Sequence, residues 1–169
     1  MKVLLSFSSF LLCFFFACTE SQTITFKTAP IALVASGPLF EGANTAQGDF
    51  FPNIADFLKQ QGLELSALEN ATLQTVSLTL PDSLNSDLVS EITLQLAADQ
   101  VDMQKVAVLN PVPAGQTQLT LSVAQEQKKI ADLIQQNKML LVADVNLKKD
   151  MDADWQATAV LEFLLTVKK

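Results

Sequence analysis

Residues 154–168 place Ala157, Ala159, Leu161, Phe163, Leu165 and Val167 at every second position, with Thr158, Glu162 and Thr166 between them. A period of two puts the apolar set on one face of a strand and the polar set on the other. Wound as a helix, the same residues would show apolar groups all round and leave no coherent face to bury. The stretch therefore reads as a long strand with one buried side, and the rest of the chain must supply a layer to cover it. Residues 138–148 repeat the pattern, with Met139, Leu141, Ala143, Val145 and Leu147 on one face. The polar turn at 149–152 between these two strands suggests a hairpin.

Weaker alternation recurs through the chain. Residues 72–80 set Val76, Leu78 and Leu80 against Thr75, Ser77 and Thr79, and residues 91–98 and 117–123 read similarly. Residues 105–109 make a short strand. Residues 23–27 and 31–35 read as one strand resumed past a kink at Ala29-Pro30, since proline cannot donate to a ladder. Residues 36–52, with Gly37-Pro38, Gly42, Gly48 and Pro52, read as a long loop. Asn53 can cap a short helix through Gln61 that stops at Gly62. Residues 84–89 form at most one helical turn. Ile130, Leu133 and Ile134 give a second helix that ends near Asn137. No period of twenty to fifty residues recurs, so a repeat architecture is not expected. The expected fold is mainly β, an immunoglobulin-like β-sandwich of about seven strands with two short crossover helices.

The amino-terminal stretch carries an address. Lys2 is followed by an uncharged run from Val3 to Ala17, then by Cys18 and a polar sequence. A short positive end, an apolar centre and a small residue before the break form a secretory signal, and the run is short for a membrane span of about 20 residues. A cysteine at that point suits a bacterial lipoprotein, in which Cys18 becomes the lipid-bearing first residue. Phe15 and Phe16 stand where leucine and a small residue are commoner, so plain secretion is the alternative. The organisation is then a signal peptide at 1–17, a tether at 18–22 and one β-sandwich domain at 23–169.

Composition narrows the chemistry. Beyond the signal the chain holds ten Lys against eighteen acidic residues, which disfavours a nucleic-acid partner. It contains no His, Arg or Tyr, and its two cysteines are Cys13, inside the signal, and Cys18. The domain thus has no disulfide, no thiol nucleophile and no imidazole base, so no enzyme activity and no cofactor are expected. Zinc and copper lack their usual ligands. Asp150, Asp152 and Asp154 alternate as calcium ligands can, but Trp155 stands where a calcium loop needs glycine and Leu161 where it needs glutamate. A solvated tip explains the same acids. Trp155 shares parity with Ala157 and Phe163, which favours a place in the core over a carbohydrate platform. Phe40, Phe50, Phe51 and Phe57 load the 39–57 region with rings. They either fold under the loop or form a ligand or partner surface.

The run from Asn53 to Leu63, the strand around Val76, Pro113-Ala114-Gly115 and the 140–167 strand pair resemble a group of small lipoproteins of Bacteroidota-type bacteria. The resemblance implies a single β-sandwich domain with no established activity, and it transfers no catalytic or binding residue. The functional expectation is a non-catalytic lipid-anchored protein of the cell envelope. It would be attached to the outer membrane, facing the periplasm or outward, and would act as a binding or structural accessory toward an envelope protein or glycan. The alternative is a carrier of a small apolar ligand using the phenylalanine-rich 39–57 region.

Overall fold

The structure, a computed structural model, describes residues 20–81 and 86–169. Among the described residues nine strands form: β1 (Ser21–Lys27), β2 (Ile31–Ala35), β3 (Gly42–Phe50), β4 (Leu68–Thr79), β5 (Val89–Ala98), β6 (Val101–Leu109), β7 (Gln118–Val123), β8 (Met139–Leu147) and β9 (Trp155–Lys168). Helix α1 (Ile54–Gln60) follows β3 and helix α2 (Ile130–Ile134) follows β7, with single 3-10 turns at Leu65–Ala67 and Ser86–Leu88. The fold is mainly β, as the alternation requires. The signal at 1–17 and Cys18 lie outside the described residues, as do residues 84 and 85 of the single turn expected at 84–89, whose described part is the 3-10 turn Ser86–Leu88. β1 starts at Ser21, so Ser21 and Gln22, placed in the tether by sequence, already belong to the sheet.

β9 is the strand on which the sheet is assembled. Its second half pairs with β1, from Ser21↔Lys168 to Lys27↔Glu162, and its first half pairs with β2, from Ile31↔Ala159 to Ala35↔Trp155. β1 and β2 are thus one strand interrupted at Ala29-Pro30, as the sequence implied. Thr28 maintains the ladder across the break: its N–H donates to the Leu161 carbonyl at 3.0 Å and its Oγ1 accepts from the Leu161 N–H at 3.1 Å. The other edge of β9 pairs with β4 from Leu68↔Val167 to Thr79↔Thr158, with two register shifts.

Followed round, the order is β1/β2, β3, β8, β5, β6, β7, β4 and β9, which returns to β1/β2. With β1 and β2 counted as one, this is a closed eight-strand antiparallel barrel, and it corrects the expectation of an immunoglobulin-like sandwich of about seven strands. Alternation states that one face is buried. It does not state whether a second sheet covers that face or the same sheet curls over it. Closure is uneven. β2 and β3 share the single pair Val34↔Gln47, and β6 and β7 share two, Ala107↔Val123 and Val108↔Ser122. These short seams lie opposite each other and divide the ring into two groups of four strands.

Two further expectations are corrected. β8 and β9 do not form a hairpin: β8 lies between β3 and β5, while β9 lies between β4 and β1/β2. The 148–154 connection crosses the end of the barrel, held by the mutual bonds of Leu39 and Met151 at 2.8 and 2.9 Å. Much of the expected 36–52 loop is β3, in register with β8 from Gly42↔Leu147 to Phe50↔Met139. Its alternate positions Asn44, Ala46 and Gly48 are too small or polar to give an apolar rhythm. Gly48 is small for a reason: a Cβ there would stand 1.9 Å from the carbonyl oxygen of Ala32 on β2.

The odd-numbered residues of β9 from Trp155 to Val167 are buried in the barrel core, together with Leu94, Leu96, Leu141 and Val145. Both helices add to that core. α1 contributes Ile54 and Leu58 and sets Phe57 edge-on to Phe26 at 5.0 Å, and α2 contributes Ile130, Leu133 and Ile134 against β4 and β5. Gly62 ends α1 with a positive φ of 76°, as expected. Asn53 precedes it in the left-handed region and makes no side-chain cap, contrary to expectation.

The ring contains an internal repeat. Exchanging β2, β3, α1, β4 and β5 with β6, β7, α2, β8 and β9 leaves the strand order unchanged. Both helices open on the same residues, Ile54-Ala55-Asp56 and Ile130-Ala131-Asp132. Val89, Glu91 and Leu94 of β5 recur with the same spacing as Val160, Glu162 and Leu165 of β9. The units are longer than the span of roughly twenty to fifty residues in which simple repeats fall.

Candidate functional site

An eight-strand barrel is narrow enough for side chains to fill it, and the core residues do so here. The recesses that matter are on the outside, where each seam gives way to a helix. The first, of about 400 Å³, lies at the β1–β2 break and is lined by Phe26, Lys27, Thr28, Pro30, Phe50 and Phe51 among others. The second, of about 540 Å³, lies between the start of β6 and the chain leaving β7, lined by Met103, Gln104, Lys105, Ala124, Lys128 and Lys129 among others. Each sits where a strand leads into a helix, β3 into α1 and β7 into α2. The internal repeat therefore exchanges the two recesses.

The four phenylalanines are only partly brought together. Phe50 is buried and Phe51 is 60% exposed, both at the first recess. Phe57 is half-buried on Phe26, which in turn stacks on Phe163 at 6.2 Å. Phe40, 66% exposed, stands beyond the opposite end of β3. The length of that strand, about 30 Å at roughly 3.4 Å per residue, keeps it out of any pocket formed by the others.

The acidic tip has a structural role. Asp150 Oδ1 accepts the Glu41 N–H at 2.7 Å, and Asp154 Oδ1 accepts the Gly37 N–H at 2.9 Å. These carboxylates hold the 37–41 segment, and among the described residues no group of three or more His, Cys, Asp or Glu is placed to hold a metal ion. Trp155 is fully buried, with no hydrogen-bond partner for its Nε1 among the described residues.

The second recess went unnoticed in the sequence. Its frame is fixed by Gln104, whose Nε2 donates to the Glu126 carbonyl at 2.7 Å while its Oε1 accepts the Lys129 N–H at 2.9 Å. Lys129 also pairs with Asp102, and that hydrogen bond holds the Asp102 carboxyl below its usual range. Met103 is 50% exposed between these groups. The available signal was its phase: Met103 occupies the same parity as the exposed Lys105, an apolar residue in a polar row. Two other charged contacts are local. Asp49 raises the Lys138 ammonium pKa by a hydrogen bond, and Ser21 with Lys168 lowers that of Glu69.

In comparisons with known proteins, no family model and no curated protein matches the chain. Among the described residues no helix is long and apolar enough to cross a membrane.

Proposed function

We propose that this chain is a lipid-anchored, non-catalytic protein of the cell envelope, held at the outer membrane through Cys18 and serving as a binding or structural accessory module. One observation carries the reading beyond the signal itself. The Glu20 carbonyl already accepts the Lys169 N–H at 3.0 Å, and only Thr19 separates Glu20 from Cys18. At about 3.5 Å per residue, a lipid on Cys18 keeps the β1 end of the barrel against the membrane and points the Phe40 end away from it. The resemblance to small lipoproteins of Bacteroidota-type bacteria agrees with this arrangement, and an envelope protein or glycan is the partner class.

The test is membrane fractionation of Cys18→Ser. The folded protein should leave the membrane fraction, since among the described residues no helix is long and apolar enough to cross a membrane in place of the lipid. Unchanged fractionation of a correctly processed variant would refute the anchor, and a reproducible hydrolase or transferase activity of the purified protein would refute the non-catalytic reading. The second reading, a carrier of a small apolar ligand, is favoured by the first recess, where Phe50 and Phe51 line about 400 Å³. It now rests on those two rings without Phe40.

A further inference from the structure

We infer that the recess between β6 and the β7–α2 connection is a binding site for a single-chain amphiphile with an anionic head, a carboxylate or a phosphate. This recess shares no lining residue with the first and does not involve Cys18. Its apolar part is Met103, half-exposed beside Ala124 in a volume of about 540 Å³. That is within the several-hundred-Å³ range of small-molecule sites. A thioether side chain adapts to a flexible alkyl chain better than a rigid ring does.

Charge selects the head group. The domain is strongly acidic, yet three of its ten lysines, Lys105, Lys128 and Lys129, line this one recess. Lys129 is committed to Asp102. Lys105 and Lys128 are exposed and form no ion pair among the described residues, so both ammonium groups can turn to a bound anion. Glu126 also lines the recess and opposes them, which leaves the balance positive. The frame needs no rearrangement, because the Gln104 side chain already ties Glu126 to Lys129. The first recess lacks this lysine cluster: it holds Lys27 and Asp49 together. The repeat has thus placed two recesses at equivalent positions and given them different charge.

The experiment uses the full chain carrying Cys18→Ser, purified without detergent, with dansyl-labelled undecanoic acid as the probe. Probe fluorescence should rise on binding and be reversed by laurate and by lysophosphatidic acid; whichever competes better identifies the head group. Dodecyltrimethylammonium should compete at least about tenfold more weakly than laurate, and Lys105→Glu with Lys128→Glu should weaken laurate by about tenfold while leaving dodecanol nearly unchanged. Met103→Asp should abolish probe binding, and Phe51→Asp, at the other recess, should leave it intact. Circular dichroism confirms that each surface variant is folded. Absence of probe binding, equal competition by the cationic amphiphile, or loss in Phe51→Asp in place of Met103→Asp would overturn the assignment.

Discussion

Gly48→Ala adds one carbon at the seam between β2 and β3. Built on the existing backbone, that carbon stands 1.9 Å from the Ala32 carbonyl oxygen and 3.0 Å from its carbon. A carbon–oxygen contact settles near about 3.3 Å, so one of the strands must withdraw by more than about 1 Å. The obstacle is backbone and cannot turn aside as a side chain would. β2 is fixed to β9 by five consecutive pairs and β3 to β8 by nine, whereas the seam itself has one. The seam is therefore what yields. Overpacking costs about 1–3 kcal/mol, and losing the bridging hydrogen bond adds about 1 kcal/mol. The sum of about 3 kcal/mol is a large share of an ordinary net stability of about 5–15 kcal/mol. In urea, with a slope near 2 kcal/mol per molar, the midpoint should fall by about 1.5 M, and the melting temperature by about 6–12 °C. Gly62→Ala is the control. Its Cβ meets open space and only its positive φ of 76° is strained, at about 1–2 kcal/mol. If Gly48→Ala lies within about 0.5 kcal/mol of the parent, or is milder than Gly62→Ala, β2 does not cross β3 there and the barrel does not close as described.

Phe163→Ala, which empties a fully buried ring stacked on Phe26, should cost about 3–5 kcal/mol in urea denaturation. Glu162→Ala on the outer face should stay within about 0.5 kcal/mol, and the reverse ranking would invert the faces of β9. Millimolar Ca²⁺ should leave the melting temperature unchanged, while Asp150→Ala should lower stability by about 1 kcal/mol through the lost bond to the Glu41 N–H; a Ca²⁺-induced rise abolished by Asp152→Ala would restore the metal reading. Glu69 has a folded pKa lowered by Ser21 and then Lys168. Its contribution is therefore complete above the ordinary glutamate range and disappears as pH falls through the lowered value. Urea midpoints of Glu69→Gln should therefore show a shallower acid decline than those of the parent.

What could be read from residues alone follows from what each position reports. The row from Ala157 to Val167 declares its buried face, and the structure buries that face. Ala29-Pro30 marked the break in the first strand because a missing donor has only one consequence in a ladder. β3 was invisible because Asn44, Ala46 and Gly48 are shaped by what crosses over them, and nothing local encodes the Ala32 carbonyl. The polar turn after β8 signalled a change of direction without naming the neighbour of β9, and that neighbour decides between hairpin and barrel. The phenylalanines were grouped by closeness in sequence, which a nine-residue strand between Phe40 and Phe50 converts into separation. The recess at Met103 needed two distant segments, 103–105 and 124–129, to be set side by side.

β9 comes after every strand that it bonds. β1, β2 and β4 are all made earlier, and until Trp155–Lys168 is available β2 has a single ladder pair to its neighbour and β1 has none. Before that point the chain can hold only a partial sheet with open edges and no closed core. Contacts between such remote segments form late and slowly compared with local ones. The molecule thus has a built-in order of events, in which closure of the ring waits for its last strand.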